Sequence, residues 1–240
     1  MKVIAAIPAR YQASRFPGKL LADLAGKPVI QHTYEAVHNS GLFDNVYVVT
    51  DSDQIENAIR GFGGNVIRSQ KQHQCGSDRI AEAVLELEVD VIINVQGDEP
   101  FISAASLQNL IDVFQKDKTQ SIDLASLMIP ISEDIENPNV VKVITDLSHR
   151  ALYFSRTAIP YLRTEDTPII YYKHVGVYAF RKNALVDFYH HPPTPLEEAE
   201  KIEAIRYLEM GKTIQMLETD FVGIGIDVPA DLERAKQLMR

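Results

Sequence analysis

Short apolar runs punctuate the first half of the chain. Residues 3–7 (VIAAI), 46–50 (VYVVT), a piece from Val66 to Arg68 and the apolar stretch of VDVIINVQGDEP each read as strands. Apolar runs of this length, bounded by polar or Gly- and Pro-containing segments, fit strands covered on both faces. Between them the spacing becomes helical. GKPVIQHTYEAVHNS begins a helix near Pro28, Asp51 is placed to start a turn and helix running to about Gly61, and DRIAEAVLEL carries a third from Asp78. This alternation predicts successive βαβ units in a mostly parallel sheet.

The second half is patterned differently. After a helix around 103–115, LASLMIP, VVKVIT and KHVGVYAF predict three strands with too little helix between them for parallel crossovers. A helix over 196–210 places Ile202, Ile205 and Leu208 on one face; short strands at 213–217 and 223–226 lead to a last helix started by Asp227 and Pro229. With no repeat, low-complexity tract or long linker, residues 1–240 are expected to form one domain, with a smaller lobe within about 125–215.

Three acidic or basic segments follow predicted strands, where α/β proteins gather their ligands. The first, Pro8-Ala9-Arg10 through Arg15 and Lys19, delivers three cations to one sheet edge, where Arg forks and backbone N–H groups can share the charge of a triphosphate. It lacks the Walker pattern, and a solvated loop is the local alternative. The second, Gln96-Gly97-Asp98-Glu99-Pro100, puts a hard carboxylate, Asp98, where it can hold Mg²⁺ against phosphate oxygens, or simply make a Gly-Asp turn. In the third, Gly223 to Pro229, Asp227 can complete that metal site or cap the following helix. The loop Gln70 to Arg79 has small residues that admit a flat base, with Ser77 and Arg79 as hydrogen-bonding groups. Cys75 reads as inert packing, and His73 as a residue that caps or positions the loop. Lys173 and His174 precede an alternating strand that can wall an acceptor pocket, and Glu200 and Glu203 stand three apart on the predicted helix; surface charge and a packed histidine are the competing readings.

Composition narrows the partners. A net charge of −9 argues against a broad nucleic-acid or anionic-membrane surface, so the basic residues near the N-terminus form a local feature. One cysteine excludes an intrachain disulfide, and the start has neither a convincing signal peptide nor a spanning segment, so a cytoplasmic location is expected.

Taken in order, Pro8-Ala9-Arg10, Ser14-Arg15, Pro17-Gly18-Lys19, Gly76-Ser77-Asp78-Arg79, Gln96-Gly97-Asp98-Glu99-Pro100, Tyr153-Phe154-Ser155-Arg156 and Gly225-Ile226-Asp227 closely resemble the 3-deoxy-manno-octulosonate (Kdo) cytidylyltransferases, the CMP-Kdo synthetase family of lipopolysaccharide biosynthesis. The resemblance runs from the first strand to the last helix. It implies an α/β, Rossmann-like nucleotidyltransferase fold, a homodimer, CTP and Kdo as substrates, and CMP-Kdo and pyrophosphate as products. Carried residue by residue, it sets Arg10, Arg15 and Lys19 on the CTP phosphates, with Pro8, Ala9, Ser77, Arg79 and Asp98 around the nucleotide. Asp98 and Asp227 match the residues that hold Mg²⁺, and Gln96, Arg156, His174, Tyr178, Glu200 and Glu203 fall in the sugar-acid region.

Two departures bear on the acceptor. The family's serine-glycine-threonine stands here as Cys75-Gly76-Ser77, and its leucine-glutamate-glutamine-leucine-arginine as Ile202-Glu203-Ala204-Ile205-Arg206, without the amide. An 8-amino analogue of Kdo, or another 2-keto sugar acid such as a sialic acid, is the alternative acceptor; a nucleotide-binding sensor is the non-enzymatic one. Retention of Asp98, Asp227 and the three loop cations argues against a sensor.

Overall fold

The structure is a computed structural model and describes residues 1–13, 15–73, 75–164, 167–220 and 224–239. Its first half runs β1 (Val3–Ala9), the small hairpin β2 (Asp23–Leu24) and β3 (Lys27–Pro28), α1 (Val29–Asn39), β4 (Asn45–Thr50), α2 (Asp53–Gly61), β5 (Val66–Arg68), α3 (Gly76–Val84), β6 (Val91–Asn94) and α4 (Ala104–Lys116). The second half continues with β7 (Leu124–Ile131), β8 (Lys142–Thr145), β9 (Ala151–Ser155), β10 (Tyr171–Arg181), α5 (Lys182–His190), α6 (Pro195–Glu200), α7 (Ala204–Glu209), β11 (Ile214–Glu218) and α8 (Pro229–Leu238).

The strands join in the order β11-β7-β10-β6-β1-β4-β5, with β8 and β9 branching from β10. β1 is buried at every position, as expected of a strand covered on both faces. It pairs in parallel with β4 on one side and β6 on the other. That reversal of strand order opens a crevice at the carboxyl edge beside β1, where open α/β sheets bind ligands. β10 alone on the main path runs the other way, antiparallel to β6 and β7. Its early residues therefore lie at the same edge as the ends of β1 and β6. The antiparallel character expected of the second half is present, since β8 pairs antiparallel with both β9 and β10.

Alternate residues of the strands feed two cores. Ala5 and Ile7 of β1 pack with α1, α2 and α4 on one face, while Ile4 and Ala6 pack with α3, α5 and α7 on the other. On the second face Phe188 stacks on Tyr207 at 4.6 Å, and the Arg206 guanidinium lies 3.8 Å from the Phe188 ring. Arg206 is 3% exposed and donates to both Glu197 oxygens at 2.6 and 2.7 Å, tying α7 to α6.

Several sequence expectations need correction. The helix over 196–210 is two short helices, broken where Lys201 takes φ +53 and closes α6. Ile202, inside that break, and Ile205, in α7, both reach the core, whereas Leu208 is only partly buried. Residues 224–227 are not a strand, and Gly223 lies outside the described residues, as do Ser14 and Gln74. Asp51 does not start α2: Ser52 is its N-cap, accepting from Ile55 N. Strand β9 and helix α5 were not anticipated; their apolar residues are too few and too closely followed by other elements to show a period of their own.

Candidate active site

The loop after β1 folds back when Gly18, at φ +70, donates to Tyr11 O at 3.1 Å. That closure starts the short 3₁₀ turn Lys19–Leu21 and directs the Lys19 ammonium toward the turn after β6. Gly97 makes that turn possible by close approach. A Cβ there would lie 2.9 Å from Ile30 Cδ1 and 3.2 Å from Pro8 O. The Gly97 carbonyl in turn accepts from Thr33 Oγ1 of α1 at 2.9 Å. The segment 224–228 is joined to this turn by Ile226 N donating to Asp98 O at 2.9 Å, which sets Asp227 beside Asp98. The capping alternative for Asp227 fails on geometry. Asp231 accepts from the N–H groups of Asp227 and Val228, each at 3.0 Å, and leaves the Asp227 carboxylate to other work.

Lys19 donates to Asp98 Oδ2 and, at 3.0 Å, to Asp227 Oδ1. Arg15 stands 3.3 Å from Asp227 Oδ2 at the exposed margin. Burial pulls the Lys19 pKa down, but the two carboxylates outweigh it and the net shift is upward, so the ammonium persists. Next door, burial and then the Asp98 charge push the Glu99 carboxyl up to about 7. Two carboxylates gathered on one cation are a fitting donor set for Mg²⁺, which takes one or two carboxylates and fills its sphere with phosphate and water oxygens. Among the described residues no group of three or more His, Cys, Asp or Glu could hold a metal by itself.

A small cavity of about 130 Å³ opens where β1 and β6 end, walled by Pro8, Ala9, Arg10, His73, Gly76, Arg79 and Gln96. Arg10 is exposed at its mouth, and Arg79 is 6% exposed and paired with Asp51, both guanidinium nitrogens lying 3.1 Å from its carboxylate. Only Nη2 is aligned as a hydrogen bond; Nη1 is close to Asp51 but poorly directed. His73 is held by Glu82 at 2.8 Å. Ser77, expected beside the nucleotide, is fully buried and donates instead to Glu203 Oε1 at 2.9 Å.

A second cavity, about 380 Å³ and within the usual range of small-molecule sites, shares Cys75, Gly76 and Gln96 with the first. Its other walls include Arg156, Lys173, His174, Tyr178 and Glu203. Five of the six expected sugar-region residues thus meet there. Glu200 does not line it: its carboxylate accepts from Ser155 Oγ at 2.6 Å and Arg156 N at 2.9 Å, fixing the end of β9. The Arg156 guanidinium donates to the carbonyls of Glu200 at 2.7 Å and Pro138 at 2.9 Å, so it braces the wall. Burial, reinforced by Lys173, pushes the His174 imidazole down to about 3, leaving it neutral. Positive charge for an anionic ligand is therefore supplied by lysines of the wall, Lys173 and Lys201, both exposed. Burial raises the Glu203 carboxyl against the hydrogen bonds from Cys75 and Ser77. Burial also pushes the Cys75 thiol up, with the Glu203 charge adding to it, consistent with an inert cysteine.

Three contributors escaped the sequence reading. Asp51 follows a strand just as Asp98 does, and that signal was available for it. Lys142 is fully buried and donates to Asn137 O at 3.0 Å, Val140 O at 2.6 Å and Arg156 O at 2.5 Å, clamping the cavity rim; nothing local distinguishes it from a surface lysine. Ser126 holds His174 from a neighbouring strand, a relation that only the register creates.

A mostly parallel sheet with cations, paired carboxylates and two adjoining cavities at its carboxyl edge has the build of a nucleotidyltransferase. Residues 4–214 match the cytidylyltransferase family profile. The 3-deoxy-manno-octulosonate cytidylyltransferase of Christiangramia forsetii (strain DSM 17595 / CGMCC 1.15422 / KT0803) is 59% identical, over 99% of this chain and 97% of the relative. That of Flavobacterium johnsoniae (strain ATCC 17061 / DSM 2064 / JCM 8514 / BCRC 14874 / CCUG 350202 / NBRC 14942 / NCIMB 11054 / UW101) is 56% identical, over 100% and 99%. A solved CMP:2-keto-3-deoxy-manno-octonic acid synthetase, complexed with CTP, superposes with a TM-score of 0.95 at 39% identity, over 100% of this chain and 98% of that one. The chain belongs to the cytidylyltransferase family and, within it, to the 3-deoxy-manno-octulosonate cytidylyltransferases.

Proposed function

We propose that the protein transfers CMP from CTP to the anomeric 2-hydroxyl of Kdo, giving CMP-Kdo and pyrophosphate for lipopolysaccharide biosynthesis. The observation that carries this reading is the shared wall. Cys75, Gly76 and Gln96 border both cavities, so a nucleotide in the smaller one and a sugar acid in the larger one would meet at the turn that carries Asp98. The relatives' names supply the acceptor. Ala204, the departure that raised the 8-amino analogue, is fully buried in the core at the start of α7, so it gives that analogue no support.

In this reaction the 2-hydroxyl oxygen forms a bond to the α-phosphorus, the bond from that phosphorus to the β-phosphate oxygen breaks, and the hydroxyl proton is released. Arg10 and Arg15 bind the triphosphate, and Lys19 neutralises charge as it moves to the leaving pyrophosphate. Asp98 and Asp227 would hold Mg²⁺, which when bound supplies charge neutralisation of the phosphates and acidifies an adjacent hydroxyl. Gln96 orients the acceptor where the cavities join, and Lys173 faces its carboxylate. His174, neutral and poorly basic, is unsuited to take the proton and serves as a hydrogen-bonding group.

A homodimer fits the exposed apolar side chains of Leu152, Tyr161, Ile169 and Ile170, which fall in one stretch of the second half. Sedimentation at a single-chain mass at micromolar concentration would remove that part of the reading. Among the described residues no helix is long and apolar enough to cross a membrane. A cytoplasmic location, where CTP is made, belongs to the same proposal.

The test is Mg²⁺-dependent pyrophosphate release from CTP with Kdo and, in parallel, with 8-amino-Kdo, each product identified by mass. Preference for Kdo is expected. Preference for the amino sugar would move the acceptor, and CTP binding with no CMP-sugar from either would overturn the proposal.

A further inference from the structure

Strand β10 departs from regular pairing where it crosses the acceptor cavity. His174 stands opposite Met128 and Val175 opposite Leu127, but the next partner, Ser126, faces Tyr178. Gly176 and Val177 are therefore two extra residues bulged out of the ladder. In an unbroken strand, residues four apart lie about 13 Å from each other. Here the rings of His174 and Tyr178 are 5.4 Å apart, because their partners on β7 are only two residues apart. The bulge thus brings both side chains to one short stretch of cavity wall.

One buried hydroxyl sits at the centre of this distortion. Ser126 Oγ lies 2.9 Å from Val177 O, 3.2 Å from Val175 O and 2.9 Å from His174 Nε2. A serine hydroxyl has one hydrogen, and the two carbonyls can only accept. Giving that hydrogen to the carbonyls leaves Oγ to accept from Nε2, the arrangement that sets the fewest lone pairs against one another. Were Nε2 the acceptor instead, both carbonyls would face a bare oxygen lone pair in a fully buried site. The imidazole is consequently fixed with its hydrogen on Nε2 and a lone pair on Nδ1, and the ring is held edge-on to Phe154 at 4.9 Å.

We propose that Ser126 is a positioning residue for the acceptor site, pinning the β10 bulge and holding His174 as the Nε2–H tautomer so that Nδ1 accepts a hydrogen bond from an acceptor hydroxyl. The inference rests on the function proposed above in naming a polyhydroxylated sugar acid as the ligand. It divides the labour within the cavity: His174 reads a hydroxyl, which can donate, and the ligand's carboxylate falls to the exposed lysines, Lys173 and Lys201. A carboxylate against Nδ1 would oppose two lone pairs.

The experiment compares wild type with Ser126→Ala and Ser126→Thr. The KM for Kdo, the KM for CTP and kcat are measured, and the His174 tautomer is read by ¹⁵N NMR of histidine-labelled protein without sugar, assigned by its loss in His174→Gln. Ser126→Ala is expected to raise the KM for Kdo about tenfold, the equivalent of about 1.4 kcal/mol. It should leave the KM for CTP within about twofold and shift His174 to a tautomer mixture. Ser126→Thr, which keeps the oxygen, should restore both. An unchanged KM for Kdo in Ser126→Ala, or a parallel rise in both KM values with the tautomer unmoved, would overturn the proposal. Should the alanine variant not fold, the wild-type spectrum decides, since an Nδ1–H tautomer there is incompatible with the arrangement. Because the tautomer is read without sugar, a wild type inactive on Kdo but showing Nε2–H would count against the acceptor and not against the Ser126–His174 pairing.

Discussion

Lys19 is the residue on which the site's charge turns. Its side chain is 14% exposed, and it contacts both acidic residues that would hold a metal. A divalent ion entering between Asp98 and Asp227 must displace or share that ammonium, so lysine and metal compete in the free protein and cooperate only once phosphate oxygens are present. Lys19→Met leaves the two carboxylates facing each other, with the exposed Arg15 paired to Asp227. The variant is expected to lose about 1–3 kcal/mol of stability in chelator. Added Mg²⁺ should raise its melting temperature more than that of wild type, because an ion bound only by the folded state stabilises it by mass action. Its turnover should fall at least about 100-fold. Equal Mg²⁺ responses from the two proteins would show that Lys19 does not occupy the metal's place. Lys19 and Asp98 stood out in the sequence because each lies beside a turn-forming glycine after a strand, whereas Asp227 was singled out by a strand expected at 223–226, whose described residues form none. The orientation of Ser77 was not, because whether a hydroxyl faces ligand or core depends on Glu203, 126 residues away.

At the scale of elements, the site depends on how closely turns approach the sheet. The turn after β6 nests under Pro8 and against α1 only because residue 97 lacks a side chain. Gly97→Ala would put a carbon 3.2 Å from the fixed backbone oxygen of Pro8 as well as against Ile30. A destabilisation of about 1–3 kcal/mol is expected, read as a lowered urea midpoint, with a loss of turnover as Asp98 shifts. At Gly225 the nearest atom to an added Cβ is Glu99 Oε1, at 2.9 Å, the end of a side chain that can swing aside. Gly225→Ala should therefore cost clearly less stability than Gly97→Ala, and the reverse order would refute the close-approach argument. The βαβ half was readable because each strand there is an apolar run separated from a periodic helix. The break between α6 and α7 was concealed for the opposite reason. Ile202, inside it, keeps a helical spacing with Ile205 and Leu208 of α7, while a lysine adopts the left-handed conformation that sequence patterns assign to glycine.

Over the whole molecule, two cores on opposite faces of one sheet bury groups whose titration links stability to pH. His174 belongs to the second face, packed against Phe154 and Tyr178. Its pKa in the folded protein is depressed to about 3, by burial first and Lys173 second, whereas an exposed histidine titrates near 6.5. As pH falls below about 6.5 the unfolded chain takes up a proton that the folded one refuses. The contribution of neutral His174 is therefore fully present above that pH and is lost progressively down toward about 3, at up to about 1.4 kcal/mol per pH unit. Glu203 acts in the other sense, because its raised pKa favours the folded state at low pH and withdraws that support as pH rises above the ordinary carboxyl range. Glu99, pushed up to about 7, acts like Glu203, so across pH 7 to 5 the buried carboxyls oppose the histidine and only a comparison that removes the imidazole isolates it. Urea unfolding of wild type and His174→Gln at pH 7, 6 and 5 makes that comparison, because both proteins keep the two carboxyls. His174→Gln, although less stable at pH 7, should gain on wild type as pH falls from 7 to 5. Parallel slopes for the two proteins would mean that the folded state protonates His174 readily, and the neutral acceptor assigned to the sugar cavity would fall with it.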